Sequence, residues 1–423
     1  MRSFQGVMMS AKGKLAVVVL SMAIIFYAVV GGFLSHEATA KDNPWAQLHI
    51  FDDVLRHIVR DYVDEPDLEK VRIGALHGLA EGLDPYSAYL LPEQVRQHNA
   101  GKNGLGETGL VLSKMGGFAF VVSVLKGSPA EAAGFQPGDF IEYIGKTPSR
   151  DISLYNAYSL LNGPIGTEVE LSIFRGNKPH KLKVKRAVLT QPAIESRAQE
   201  PGIGYVKVTS LAAGKANEIK DQLTQLKNRG AQKFILDLRA TAGGELEEAV
   251  AVANLFIKSG VIAKTVGREG KELSVLQARP ERFAFDNELV VLINYNTAGP
   301  AEAIASAVVE NKRGEVVGVR TFGAGSQQQL FNLKDGSGLL LTTVKYASAS
   351  GKPFMDGGVT PTVEVKPGDA AELVPPDAVQ EEDEDDPQKQ QKQVAPSQPA
   401  EDIQLKRAVE ILNTGKAPAR RAA

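Results

Sequence analysis

A hydroxyl or thiol attacks a carbonyl only when a neighbouring base takes its proton. The chain has no cysteine, which removes the thiolate as nucleophile and metal ligand and excludes disulfides. Its histidines, His36, His49, His57, His77, His98 and His180, all precede residue 181. A Ser/His/Asp arrangement within the later half is therefore excluded, and hydrolytic chemistry there needs a hydroxyl activated by lysine. Thr297, Ser326 and Ser210 carry candidate hydroxyls, and Lys312 and Lys345 candidate amines. No spacing obliges any such pair to meet, and hydroxyls of this kind ordinarily serve as caps and turn residues. No metal-ligand spacing and no cofactor motif accompanies them.

One string could bind rather than react. Gly104-Leu105-Gly106-Glu107-Thr108-Gly109 satisfies G-x-G-x-x-G, which cradles a pyrophosphate only between a strand and a helix. Here polar Gln97–Asn103 precedes it and strand-like Leu110–Leu112 follows, so a nucleotide site is not expected. The alternative is a turn whose backbone N–H groups, around Thr108 and Gly109, face the carboxylate of a peptide C-terminus. The peptide then adds as a strand beside Leu110, Val111 and Leu112. A net charge of -2 and 6% aromatic residues offer neither phosphate contacts nor stacking platforms, so nucleic acid is not an expected partner.

The elements that must position these residues fall into several regions of a chain of 423 residues, too long for one core. Arg2, Lys12 and Lys14 precede an apolar run from Leu15 to Leu34, followed by Ala38-Thr39-Ala40. This is an export signal in one of two forms, a cleaved peptide or an uncleaved span in the inner membrane through residues 15–34. Either form places the remainder outside that membrane, in the periplasm. Residues 41–100 read as a helical region, with a one-sided apolar pattern from Trp45 to Val63 that predicts a helix with a buried face, and a second helix over 69–82. From about 101 to 188 the period is two, with Ser128-Pro129 opening a short helix and a longer helix around 153–161. Residues 189–368 alternate strands, such as 204–208, 234–238 and 289–294, with helices 215–227, 246–257 and 301–309, which predicts an α/β domain. Residues 369–400 are acidic and Gln-rich, too polar to fold alone, and 401–423 carry a last amphipathic helix and a basic tail.

Gly127-Ser128-Pro129-Ala130 and Ala133-Gly134-Phe135-Gln136-Pro137-Gly138-Asp139 make region 101–188 resemble a PDZ domain. Leu83-Asp84-Pro85-Tyr86-Ser87-Ala88-Tyr89-Leu90, Ile235-Leu236-Asp237-Leu238-Arg239 with Gly243-Gly244, Thr321-Phe322-Gly323 and Gln404-Leu405 follow in the order seen in carboxyl-terminal processing (tail-specific) peptidases. The resemblance covers nearly everything from residue 45 onward except the acidic stretch. It implies a mixed α/β fold, a crotonase- or Clp-protease-like core with an inserted PDZ domain and helical terminal segments. It also implies a serine-lysine peptidase whose PDZ domain captures the substrate's C-terminus and gates the active site.

Aligned on Asn294 and Glu302, this chain has Gly299 where the family has its serine and Ala324 where it has its lysine. Pro300 stands where the residue after the serine lends its N–H to the oxyanion hole, and proline has none. Thr241-Ala242 replaces the family's Asn-Pro, Gly243 and Gly244 remain as a donor loop, and Gln328 matches the glutamine that orients the lysine. The expectation is a pseudopeptidase that binds peptides or protein C-termini as a scaffold or regulator. Two alternatives stand beside it: an active endopeptidase with a relocated or partner-supplied nucleophile, and a subunit that forms homo-oligomers or docks on an active paralogue.

Overall fold

The computed structural model describes residues 48–366, apart from 102, 103, 177 and 356, together with 402–415 and the single position Met22. Apart from Met22, the export signal expected from the sequence lies outside these residues, as do the acidic stretch and the basic tail. Among the described residues no helix is long and apolar enough to cross a membrane.

The chain divides at Ala75 into two units. In the first, the helix Leu48–Asp61 leaves Ile50, Phe51, Val54, Leu55 and Val59 exposed. This corrects the expectation of a buried face: the pattern is that of an amphipathic helix, but its apolar side stays open. The helix Leu68–Glu81 runs from this unit into the second.

In the second unit a twisted sheet has the order 195–200, 203–207, 233–237, 288–293, 315–318, 363–364, parallel except for its first strand. Its strands read as near-continuous apolar runs because both faces are covered. On one face Phe234, Leu236, Val291 and Ile293 meet the helices Lys215–Asn228, Leu246–Asn254 and Pro300–Glu310. On the other, Ile235, Val290, Leu292 and Val317 meet Ala408, Val409, Ile411 and Leu412 of the helix Ile403–Thr414. That last helix is fastened at its N-terminus, where Asp402 caps Leu405 N–H at 3.0 Å and takes both arms of Arg239 at 2.8 Å. Arg239 in turn pairs with the buried Asp237, which also accepts from Tyr205 and Lys207.

A second sheet was not read from the sequence. Gly338–Ala347 pairs with Ala88–Leu90, with Ser326–Asn332 and with Val261–Val266, which carries Glu272–Gln277 at its edge. A helix over Pro92–Ala100, also unforeseen, begins where Gln94 Oε1 accepts the Leu91 N–H at 2.8 Å.

Residues 105–187 form a compact β module with the strand order 110–115, 118–124, 140–144, 168–175, 178–185 and the helix Leu154–Leu161 packed beside Leu110 and Leu112. Asp139 is buried but paired bidentately with Arg175 at 2.7 and 2.8 Å.

Replacing Asp402 by alanine removes a cap and a partly exposed ion pair. A loss of about 1–2 kcal/mol in urea unfolding is expected, and an unchanged midpoint would contradict the fastening role.

Candidate functional site

The parallel strands 233–237, 288–293 and 315–318 end side by side, and the loops leaving their C-terminal ends form the crevice where sites of open α/β sheets lie. These loops are bonded to one another. Asn294 Oδ1 accepts the Ala240 N–H at 3.0 Å, Ala298 N–H donates to Thr241 O at 3.0 Å, and Phe322 N–H donates to Thr297 O at 3.0 Å. Ala240 is held at φ 58°, a left-handed conformation costly for a residue with a side chain.

Gly299 lies at the sharp turn between the strand 288–293 and the helix Pro300–Glu310, with φ 61° and ψ -126°. Only glycine adopts this backbone without strain, and a serine here would be held at a cost of about 1–3 kcal/mol. A Cβ placed on Gly299 would meet the carbonyl oxygen of Ala324 at 3.1 Å. The structure thus brings the two expected dyad positions together, although neither carries a reactive group. Pro300 occupies the first helical position, where its missing N–H costs the helix nothing.

Glu302 joins these loops. Its carboxylate, with no exposed surface, accepts Gly299 N–H at 2.8 Å, Ala324 N–H at 2.9 Å, Gly323 N–H at 2.9 Å and the Thr321 hydroxyl. Burial pushes its pKa up to about 7, against the four donors, which favour the charged form. Gly243 and Gly244, expected as oxyanion-type donors, both have positive φ, and a Cβ on Gly244 would strike the Leu211 carbonyl at 2.6 Å. The atom nearest a Cβ on Gly243 is Val111 Cγ2, from the β module, at 3.9 Å.

The β module covers the crevice. Phe118, Phe120, Val122 and Phe140 form one apolar cluster with Ala298, Ala242, Tyr295, Phe322 and Ala324. Phe120 is fully buried and lies nearly parallel to Phe322, with centroids 5.9 Å apart, while Tyr295 meets Phe322 at 5.3 Å. Ser123 donates to the carbonyl of the strained Ala240 at 2.6 Å. Ala324 therefore borders a largely apolar aromatic cluster, in which a lysine amine without a partner would be disfavoured.

The candidate hydroxyls are engaged. Thr297, fully buried, donates to Leu238 O at 2.9 Å, and Ser210 donates to Gln191 Oε1 at 2.7 Å. Lys312 lies beyond the far end of the 11-residue helix that Gly299 precedes, a helix about 16 Å long. Ser326 and Lys345 are directly opposite across an antiparallel strand pair. Gln328 Nε2 donates to Ser326 Oγ at 2.9 Å and to Thr342 Oγ1 at 3.2 Å. Thr342 in turn donates to Asp84 Oδ1 at 3.1 Å, which gives Asp84 a role that its motif alone did not reveal.

At the expected peptide-binding edge, Gly109 has φ 90° and a Cβ there would lie 2.2 Å from Ser128 Cβ, so only glycine fits. Thr108, Leu110 and Leu112 are buried, Val111 partly so. Leu112 N–H already donates to the Tyr158 hydroxyl at 2.7 Å, a contact without a sequence signal. Among the described residues no group of His, Asp or Glu is placed to hold a metal ion.

Residues 202–365 match the model of peptidase family S41, and residues 120–175 match a PDZ domain. The chain is 32% identical over 342 residues to the carboxy-terminal processing protease CtpA of Bacillus subtilis, covering 79% of this chain and 72% of that one. It is 29% identical over 359 residues to the carboxy-terminal-processing protease of Bartonella bacilliformis, covering 81% and 82%. The solved structure of a photosystem II D1 C-terminal processing protease superposes with a TM-score of 0.63 at 26% identity, covering 76% of this chain and 93% of that one.

The raised pKa of Glu302 sets a sign. A carboxyl whose folded pKa lies above its unfolded value stabilises most below about pH 4.5, and that contribution is lost as pH rises through about 7. Stability is expected to fall by up to about 3 kcal/mol over that window, and Glu302→Gln to abolish this part of the slope in urea unfolding followed against pH. An identical slope in the variant would contradict the assignment.

Proposed function

The chain belongs to the carboxyl-terminal processing peptidases of family S41, and from that membership we propose an exported member that binds peptides or protein C-termini without cutting them. The observation that carries this is the pairing of Gly299 with Ala324 beside an aromatic cluster contributed by the PDZ domain. The scaffold of a nucleophile turn is kept, with strand, sharp turn, helix N-terminus and adjoining glycine loop, while the side chains of Gly299 and Ala324 offer neither a nucleophile nor a base. Losing such a nucleophile costs on the order of a millionfold in rate, and losing one oxyanion donor, as Pro300 does, on the order of 100-fold to 1,000-fold. The PDZ domain retains the features that receive a C-terminus, above all Gly109 beside Ser128 and an outer strand at Leu110–Met115. Export rests on Arg2, Lys12 and Lys14 ahead of the run Leu15–Leu34.

A second reading, an active endopeptidase, draws on Ser326, which lies opposite Lys345 across the strand pair and whose hydroxyl accepts from Gln328. Purified protein incubated with β-casein, an unfolded substrate, separates the two. Native protein is expected to leave it intact, whereas Gly299→Ser, Pro300→Ala and Ala324→Lys together restore cleavage, faster when Phe120→Ala loosens the cluster. Cleavage by native protein that disappears in Ser326→Ala would establish the second reading instead.

A further inference from the structure

The strand Leu110–Met115 is the outer strand of the PDZ sheet, and among the described residues no strand pairs with its outer edge, the side on which a peptide strand would add. One of them is already occupied by the chain itself. Leu112 N–H donates to the hydroxyl of Tyr158, which reaches across from the helix Leu154–Leu161. A peptide adding to this edge would present a backbone carbonyl to the same N–H. The hydroxyl oxygen does that carbonyl's work, and both cannot be there at once. Burial pushes the Tyr158 hydroxyl up to about 12, so it stays neutral and an ordinary acceptor.

The helix that carries Tyr158 is braced from outside the PDZ domain. Tyr155 donates to Gln94 O at 3.0 Å, and Gln94 Nε2 donates to Asn156 Oδ1 at 2.6 Å. Tyr155 also packs with Ala88, Leu90, Val95 and Leu340, where the helix Pro92–Ala100 meets the second sheet. Along the same strand the Tyr86 hydroxyl lies 3.1 Å from Ser113 Oγ, and its loop is tied to the second sheet through Asp84 and Thr342. With the helix so braced, the groove is cleared by turning the Tyr158 side chain, and moving the helix would break these contacts first.

We infer that Tyr158 is a built-in competitor for the peptide groove, standing in for the backbone carbonyl of an extended peptide with a free C-terminus, which must displace it to bind. The inference rests on the peptide-binding reading above. It makes the groove latent: affinity is reduced by the fraction of time the hydroxyl holds the edge.

The test uses the full chain. A fluorescein-labelled decapeptide ending in valine with a free carboxylate, and its amidated twin, are titrated into native protein and into Tyr158→Phe, followed by fluorescence anisotropy. Phenylalanine keeps the ring and its packing while removing the oxygen. The variant is expected to bind the free-carboxylate peptide about fivefold more tightly, the scale of one ordinary hydrogen bond. Without peptide, the segment 108–116 is expected to exchange its amide hydrogens faster in the variant. Tyr158→Leu, a second way of removing the oxygen, should shift affinity in the same direction. Saturable binding that is equal or weaker in both variants overturns the competitor role while leaving peptide binding in place. No saturable binding by any of the three proteins overturns the peptide-binding reading, and the competitor role with it.

Discussion

Glu302 is a carboxylate cut off from water, and the region around Gly299 is arranged to satisfy it. Three backbone N–H groups and one hydroxyl, from two loops that are distant in sequence, converge on its two oxygens. It also sits in the first turn of a helix, where the dipole favours negative charge. Removing it would strand several buried donors at once, each at about 1–3 kcal/mol. The interaction holds the turn independently of the side chains it carries: Gly299, Gly323 and Ala324 contribute through their backbones, so their side chains can change while the loops stay in place.

That same turn supports the PDZ domain. With a methyl group at Ala324 and none at Gly299, the crevice presents an apolar floor, and the domain packs Phe118, Phe120 and Phe140 into the cluster above it. Two aromatic contacts of the kind between Phe120 and Phe322 add about 0.5–1.5 kcal/mol each beyond the area they bury. The bond from Ser123 to Ala240 fixes the domain to the strained loop beside Gly243. The peptide edge and the crevice are thus joined by these contacts, and again through Tyr86, Asp84, Thr342 and Gln328.

Much of this was legible in the sequence because it is local. The apolar runs Phe234–Leu238 and Leu289–Ile293, the glycines at forced backbone positions and the order of short motifs specify the parallel sheet, the PDZ domain and the places of Gly299 and Ala324. What escaped is non-local or disguised. Ser326–Asn332 reads Ser-Gln-Gln-Gln-Leu-Phe-Asn, polar enough to pass for a loop, and becomes a strand only because Gly338–Ala347 pairs with it. The helix Pro92–Ala100 lacks a Ser, Thr, Asp or Asn cap and is started by Gln94 reaching back to Leu91. Tyr158 and Phe120 look like ordinary core residues until folding sets them against Leu112 and Phe322, which are 46 and 202 positions away. The apolar stripe of Leu48–Asp61 gave the helix but not its surroundings, since a period fixes which side is apolar and not what covers it.

The most direct test of the central claim, that no activated hydroxyl remains, is to treat the purified protein with a fluorophosphonate and read its intact mass and tryptic map. The account predicts an unmodified chain, with labelling appearing at residue 299 only after serine and lysine are restored at 299 and 324. A stoichiometric adduct on Ser326, Thr297 or Ser210 of the native protein would contradict it and identify the nucleophile.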